Sequence, residues 1–158
     1  MDKKYLTVFL YTAAAGAILY VLDLVMAHVF IAISPNEWTL GMSRISMGIS
    51  WVVSVLMILF IGLKLRKIYD RKDCLTAAAL MMAYGAIWLV GERLILSSDW
   101  YGFYSIWTYL HFPMGVFSFV TQIVMQLVDL ESHIWLYAVP SIFVPFVFLL
   151  FCKKDLSE

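Results

Sequence analysis

The feature that most constrains the fold of this chain is an apolar run of about 29 residues near its N-terminus, from Tyr5 to Ile33. A helix needs about 20 apolar residues to cross a bilayer, so this run is long enough to do so. It also exceeds the roughly 7 to 15 apolar residues of a secretory signal peptide, so we expect it to remain as a transmembrane helix. Because lipid offers no water to unpaired backbone groups, the predicted fold class is all-α, a polytopic transmembrane helical bundle.

Four further apolar stretches follow, and together they predict a single integral membrane domain over residues 1–158. Full spans are predicted at 5–33, 43–63, 74–96 and 134–151. The stretch 105–128 is less lipid-like, because it contains polar or helix-breaking residues at His111, Pro113, Gln122 and Gln126. Two architectures remain open. One has four spans with 105–128 embedded from the outer side, and the other has five full spans.

Positive charges in short loops indicate which side of the membrane each loop occupies. Lys3 and Lys4 precede the first span, and five basic residues lie between residues 64 and 72. Both regions are predicted to be cytoplasmic, so the loops 34–42 and 97–104 lie outside. Lysines 153 and 154 favour four spans, because five would place them outside, whereas the length of 105–128 favours crossing. Small size and plain loops lead us to expect a bacterial cytoplasmic membrane.

The chain has two cysteines, Cys74 and Cys152, and each lies beside a basic segment at a predicted helix end. No Cys-x-x-Cys motif is present, so the spacing used by redox and zinc motifs is missing. We therefore expect two free thiols facing the cytoplasm and no cofactor. The net charge is zero, so no basic excess suggests nucleic acid as a partner.

Small and polar side chains recur on one face of each of the three long predicted helices. Gly16 and Asp23 share a face of the first, and Glu92 follows Ala78 and Gly85 at seven-residue spacing on the third. The second carries a serine stripe at Ser43, Ser46, Ser50 and Ser54. Small residues let helices approach closely in lipid, and hydroxyls can hydrogen-bond between helices. We expect Asp23 and Glu92 to face the interior, with the serines serving either ordinary helix packing or an aqueous path.

The candidate site is a cluster of ionisable side chains predicted in the outer half of the membrane: Asp23, His28, Arg44, Glu92, Arg93 and His111. An unpaired Asp or Arg at the membrane centre costs about 2.5–3.5 kcal/mol on insertion scales. Pairing of Asp23 with Arg44 or Arg93, and of Glu92 with Arg44, would relieve most of that cost. The cluster is then either a structural network, a cavity whose side chains bind a ligand or gate access, or a site whose arginines reach the interface.

The function expected from this pattern is that of a small non-catalytic integral membrane protein. It would bind or transport a small polar solute, ion or lipid, or serve as an accessory subunit of a membrane complex. The alternative is an intramembrane enzyme in which Glu92 or Asp23 acts with His111, with a metal ion as an option because histidine and carboxylate suit zinc or iron. Common catalytic motifs are missing, which favours the first expectation. Besides lipid, the expected partner is a second copy or a membrane subunit.

Overall fold

The computed structural model describes residues 3–35, 39–67, 69–96, 109–127 and 134–152. Its three long helices are α1 at Lys3–Ile33, α2 at Leu40–Leu65 and α3 at Arg71–Leu96. All three are long and apolar enough to cross a membrane, and no strand occurs within the described ranges. The all-α class is therefore confirmed for these ranges. The predicted spans 5–33, 43–63 and 74–96 lie within the three helices, and the predicted loop 97–104 lies outside the described residues.

Side chains that accept hydrogen bonds from the first turn mark the starts of α2 and α3. Before α2, the hydroxyl of Thr39 accepts a hydrogen bond from the N–H of Met42 at 3.2 Å. Before α3, the carboxylate of Asp70 accepts one from the N–H of Asp73 at 2.7 Å. Such caps satisfy amide groups that have no partner inside the helix. We name the two ends of the bundle by the helices that meet there. The α1–α2 end is where α1 ends at Ile33 and α2 begins at Leu40, and the α2–α3 end is where α2 ends at Leu65 and α3 begins at Arg71.

Residues 109–127 form an interrupted segment, which contains α4 at Phe112–Gly115 and α5 at Ser118–Leu127. Pro113 lies in the first turn of α4, where a missing N–H removes no helical hydrogen bond. The two helices are separated by a turn at 116–117, which is tightened by a hydrogen bond of 2.9 Å from the N–H of Phe117 to the Met114 carbonyl. The Ser118 hydroxyl donates to the Gly115 carbonyl at 2.7 Å, so a side chain satisfies a backbone group at the break.

The interrupted segment reaches the middle of α1 and then returns along α2. Gly16, near the middle of α1, lies against the backbone of Phe112, and a Cβ at Gly16 would overlap the Phe112 carbonyl oxygen. In α5, Gln122 contacts Trp51 and Gln126 contacts Met47. Because Met47 precedes Trp51 in α2, α5 runs antiparallel to α2 and towards the α1–α2 end.

Residues 134–150 form a C-terminal segment that mixes two helix types. A 3-10 helix at Ile134–Ala138 leads into α6 at Val139–Phe143, and a second 3-10 helix covers Val144–Leu150. Pro140 and Pro145 lie in the first turns of α6 and of the second 3-10 helix. Proline has no N–H to donate, so a continuous α-helix would lose a hydrogen bond at each of these positions.

A disulfide joins Cys74, at the start of α3, to Cys152, just after the C-terminal segment. Their Cα atoms are 6.7 Å apart, within the range of about 4.4–6.8 Å usual for such links. The prediction of two free thiols is therefore wrong, because the fold brings together cysteines that are 78 residues apart in sequence. Ile142 lies near Gly85 in α3, so the C-terminal segment runs antiparallel to α3 and ends at the α2–α3 end.

The best-buried side chains surround the turn of the interrupted segment. The rings of Phe117 and Phe148 meet edge to face with centroids 5.9 Å apart, and both are almost fully buried. Val8 of α1 and Met81 of α3 belong to the same buried cluster. The core therefore holds the turn between α4 and α5 inside the bundle, while many large apolar side chains on the outer faces of α1, α2 and α3 stay exposed.

Candidate functional site

Two cavities lie beside the interrupted segment, and three of its residues, His111, Ser118 and Gln122, line both of them. The Asp23 cavity, of about 120 Å³, lies towards α1 and α2 and also includes Asp23. The Glu92 cavity, of about 280 Å³, lies towards α3 and the C-terminal segment and also includes Glu92. The three common residues therefore form a shared wall with one carboxylate on each side.

Asp23 is tied to α2 by a hydrogen bond across the Asp23 cavity. The hydroxyl of Ser50 donates to Oδ1 of Asp23 at 2.6 Å. Ser50 and Ser54 are both buried and line this cavity, in agreement with the predicted inward face of α2. The Asp23 residue itself remains exposed, so the carboxylate is oriented by α2 without being enclosed.

Glu92 lies on the predicted inward face of α3. Gly85 and Ala78, one and two heptads before it, are buried, and Glu92 is half-buried against the Glu92 cavity. Among the described residues, Glu92 has no hydrogen bond or ion pair. Within these residues, its carboxylate therefore has no partner that competes with an occupant of the cavity.

His111 separates the two cavities and is held by the ring of Trp88, with centroids 4.1 Å apart. The backbone beside it is held as well, because the Tyr84 hydroxyl donates to the Leu110 carbonyl. Nδ1 of His111 is buried and has no hydrogen-bond partner within the described part of the chain. A buried polar atom without a partner costs about 1–3 kcal/mol, which indicates a ligand contact or a functional constraint at this position.

Gln122 is oriented by Trp51, whose indole N–H donates to Oε1 of Gln122 at 2.6 Å. An indole nitrogen can only donate, so it occupies Oε1 of Gln122; the amide NH₂ has no hydrogen-bond partner among the described residues and can donate into the cavities. The sequence identified Gln122 only as a polar residue in an apolar stretch and left it out of the candidate site, together with Ser118 and Trp88. Their convergence depends on the turn between α4 and α5, which leaves no periodic pattern in the sequence.

The other three candidate residues lie away from the cavities. His28, Arg44 and Arg93 are all exposed, and Nδ1 of His28 lies 2.7 Å from the Leu24 carbonyl of its own helix. The ion pairs expected for Asp23 and Glu92 with these arginines are not formed in the described ranges. The exposed positions agree with long arginine side chains that extend towards the membrane interface.

The candidate site therefore consists of two carboxylates, a histidine, hydroxyls and an amide around two small cavities. In the described ranges, no group of three or more His, Cys, Asp or Glu side chains is arranged to hold a metal ion. Such a site can orient a small polar molecule by hydrogen bonds and charge. The chain matches no protein-family model, no curated protein and no solved structure. Function is therefore inferred from the geometry of the two cavities.

Proposed function

We propose that this protein binds a small polar solute or ion within the membrane, in the Asp23 and Glu92 cavities, without chemically transforming it. The observation that carries the proposal is the shared wall: His111, Ser118 and Gln122 line both cavities, and each cavity adds one carboxylate. Ionisable groups inside a membrane are costly, so they are retained mainly where they serve a function. Movement of the solute from one cavity to the other past His111 would make the protein a transporter.

The size of the cavities favours a small solute over a lipid. The Asp23 cavity measures about 120 Å³. Pockets for drug-sized ligands measure about 300–1,000 Å³. Even the Glu92 cavity, at about 280 Å³, lies below that range.

The proposed topology has four spans, with the interrupted segment embedded from the side of the α1–α2 end. Two observations support it: α4 lies against Gly16 near the middle of α1, and α5 then returns along α2 towards the end from which it came. A 3-10 helix rises about 2.0 Å per residue against 1.5 Å in an α-helix, so residues 134–150 cover roughly 30 Å. That length equals the hydrocarbon thickness of about 30 Å, and this segment is the fourth span.

The proposed location is a bacterial cytoplasmic membrane, with both termini and the basic 64–72 region in the cytoplasm. The positive-inside rule supports this orientation. The disulfide at the same end opposes it, because such links are rare in a reducing cytoplasm. Reporter fusions at each terminus test the topology: four spans place both reporters on one side, and five spans place them on opposite sides.

The stability of charge-removing variants in detergent tests whether the carboxylates are held for a ligand. The variants are Asp23→Asn, Glu92→Gln, Arg44→Gln and Arg93→Gln. Because neither carboxylate has a cationic partner among the described residues, we expect each single variant to be as stable as the parent or more stable. A structural ion-pair network predicts the opposite. In that case single variants lose stability, and a double variant such as Asp23→Asn with Arg44→Gln recovers it.

A second candidate function is that of an intramembrane enzyme, favoured by the presence of Glu92 and His111 in the same cavity. If a metal ion takes part, purified protein retains it in stoichiometric amount, and His111→Gln lowers that amount. Elemental analysis of both proteins distinguishes this metal-dependent enzyme from a binding protein.

Self-association or a membrane partner subunit belongs to the same proposal. The bundle is thin, and large apolar side chains such as Leu56 and Ile87 are exposed on its long helices. Lipid or another protein must cover these faces. The mass of the detergent-solubilised protein, corrected for bound detergent, distinguishes a monomer from an oligomer.

A further inference from the structure

We propose that the Asp23 cavity selects a small organic molecule that carries a positively charged nitrogen, an ammonium group. This inference rests on the proposed function, because it names the class of solute that the cavity takes. It begins with charge. Asp23 and Glu92 line the two cavities, and no lysine or arginine is found among the described residues that line either one. A cationic solute supplies the positive charge that none of the described lining residues places beside Asp23.

The walls of the Asp23 cavity suit an organic cation. Tyr20, Phe112 and Phe119 all line it, and the rings of Tyr20 and Phe112 lie with centroids 5.5 Å apart. Aromatic faces attract cations, and rings grouped around a cavity are a recurrent means of binding quaternary ammonium groups. A carboxylate placed beside these rings adds a direct partner for the positive nitrogen.

The carboxylate is oriented before any ligand arrives. Ser50 donates to Oδ1 of Asp23. The other oxygen, Oδ2, has no hydrogen bond to the described residues, so it can accept one from a ligand. Trp51 orients Gln122 in the same way, and the free amide NH₂ can donate to a hydroxyl on the ligand. An amino alcohol therefore matches the site at both ends.

An inorganic cation fits this cavity less well. A hard metal ion requires several oxygen ligands around it. Oxygen-bearing side chains such as Ser54 line the Asp23 cavity, but Asp23 is the one anionic side chain among the described lining residues, and Leu19, Tyr20, Phe112 and Phe119 add carbon-rich surface. An ammonium group with attached carbons tolerates such surfaces, because its hydrocarbon part buries apolar area on binding.

The test is thermal stabilisation of the purified full-length protein in a maltoside detergent. The probes are choline, ethanolamine and 3,3-dimethyl-1-butanol, which has the shape of choline without its charge, with sodium chloride at matched concentration. We expect choline or ethanolamine to raise the melting temperature saturably, and the neutral alcohol and salt to have little effect. Loss of a charge-assisted contact in Asp23→Asn should weaken binding by about tenfold or more.

Two further variants keep the outcome independent of any folding defect in Asp23→Asn. Tyr20→Leu removes an exposed ring without removing charge and should also weaken binding. Gly48→Ala adds a methyl group to α2 where it meets nothing within 4 Å, outside both cavities, and should bind like the parent.

Each contrary result identifies what fails. Equal stabilisation by the neutral alcohol overturns the preference for a cation and leaves a polar-solute site. Equal stabilisation by sodium chloride overturns the ammonium class in favour of an inorganic ion. If no probe stabilises the protein, the ammonium inference is wrong. The proposed function fails as well only if, without ligand, the single charge-removing variants lose stability and a double variant such as Asp23→Asn with Arg44→Gln recovers it.

Discussion

The hydroxyl of Ser50 donates a hydrogen bond to the Asp23 carboxylate, 2.6 Å away, and thereby joins α2 to α1 beside the Asp23 cavity. Ser50 is buried, so water does not readily replace its side chain as a donor. Asp23 thus obtains its hydrogen bond from a neutral partner and keeps its negative charge unbalanced by any described basic residue. In a structural ion pair, a basic side chain would neutralise the carboxylate and compete with a cationic ligand for it.

Replacement of this hydroxyl tests the link between α1 and α2. Ser50→Ala should lower the free energy of unfolding by about 0.6 kcal/mol and by at most about 1.7 kcal/mol, the average and the maximum for interhelical hydrogen bonds in a membrane protein. Ser46→Ala is the matched control, because Ser46 lies one turn away on α2 and is half-buried. Denaturant titration in mixed micelles measures both. Equal effects of the two variants would show that the hydrogen bond contributes nothing specific.

The contact between Trp51 and Gln122 should appear as an energetic coupling. Trp51→Phe removes the indole donor, and Gln122→Leu removes its acceptor. In a double-mutant cycle we expect a coupling of about 0.6 kcal/mol and at most about 1.7 kcal/mol, as for other hydrogen bonds between membrane helices. A coupling near zero would mean that α5 is not held against α2 by this bond. The topology argument would then lose one of its supports.

A methyl group at Gly16 should disrupt the contact between α1 and α4. The Cβ of Gly16→Ala would meet the Phe112 carbonyl oxygen, and a backbone group cannot rotate away. Overpacking of this kind costs about 1–3 kcal/mol. At Gly48 in α2 an added Cβ meets nothing within 4 Å, so Gly48→Ala should leave stability unchanged or raise it by up to about 1 kcal/mol, because alanine favours a helix more than glycine does. Thermal melting of the two variants side by side measures the difference, and similar melting temperatures would contradict the close contact.

The state of the cysteines can be counted directly. With the disulfide formed, a maleimide-linked polymer should label no thiol in the denatured protein before reduction and two after it, seen as shifts on a gel. Cys74→Ser and Cys152→Ser should each expose one thiol and lower stability by about 2–4 kcal/mol, the typical contribution of such a link. Two labels before any reduction would show that the cysteines are not joined in the membrane-extracted protein.

The positions of Asp23 and Glu92 on the cavity-lining faces of α1 and α3 could be predicted, because helical periodicity decides which residues share a face. Small residues at Gly16, Ala78 and Gly85 identify the same faces, since close helix contacts in lipid require them. The long helices were predictable for a similar reason, because their apolar length exceeds what any soluble loop would contain.

The positions of Arg44 and Arg93 could not be predicted from charge balance. Equal numbers of acids and bases suggest pairs, but a long arginine side chain can reach the interface instead, and both arginines are exposed. Sequence periodicity likewise could not predict that His111 and Gln122 line the same two cavities. It depends on the turn at 116–117, which is held in place by packing of Phe117 against the distant Phe148. The link between Cys74 and Cys152 follows from tertiary structure in the same way.

Because the two cavities share a wall, ligand binding in one is expected to change the affinity of the other. His111, Ser118 and Gln122 cannot shift in response to an occupant on one side without reshaping the other side. Any such effect is a coupling free energy, and it must act equally in both directions. If a solute beside Asp23 weakens binding beside Glu92, then a solute beside Glu92 weakens binding beside Asp23 by the same factor. Negative coupling of that kind would favour single occupancy and would let an arriving solute promote the departure of one already bound.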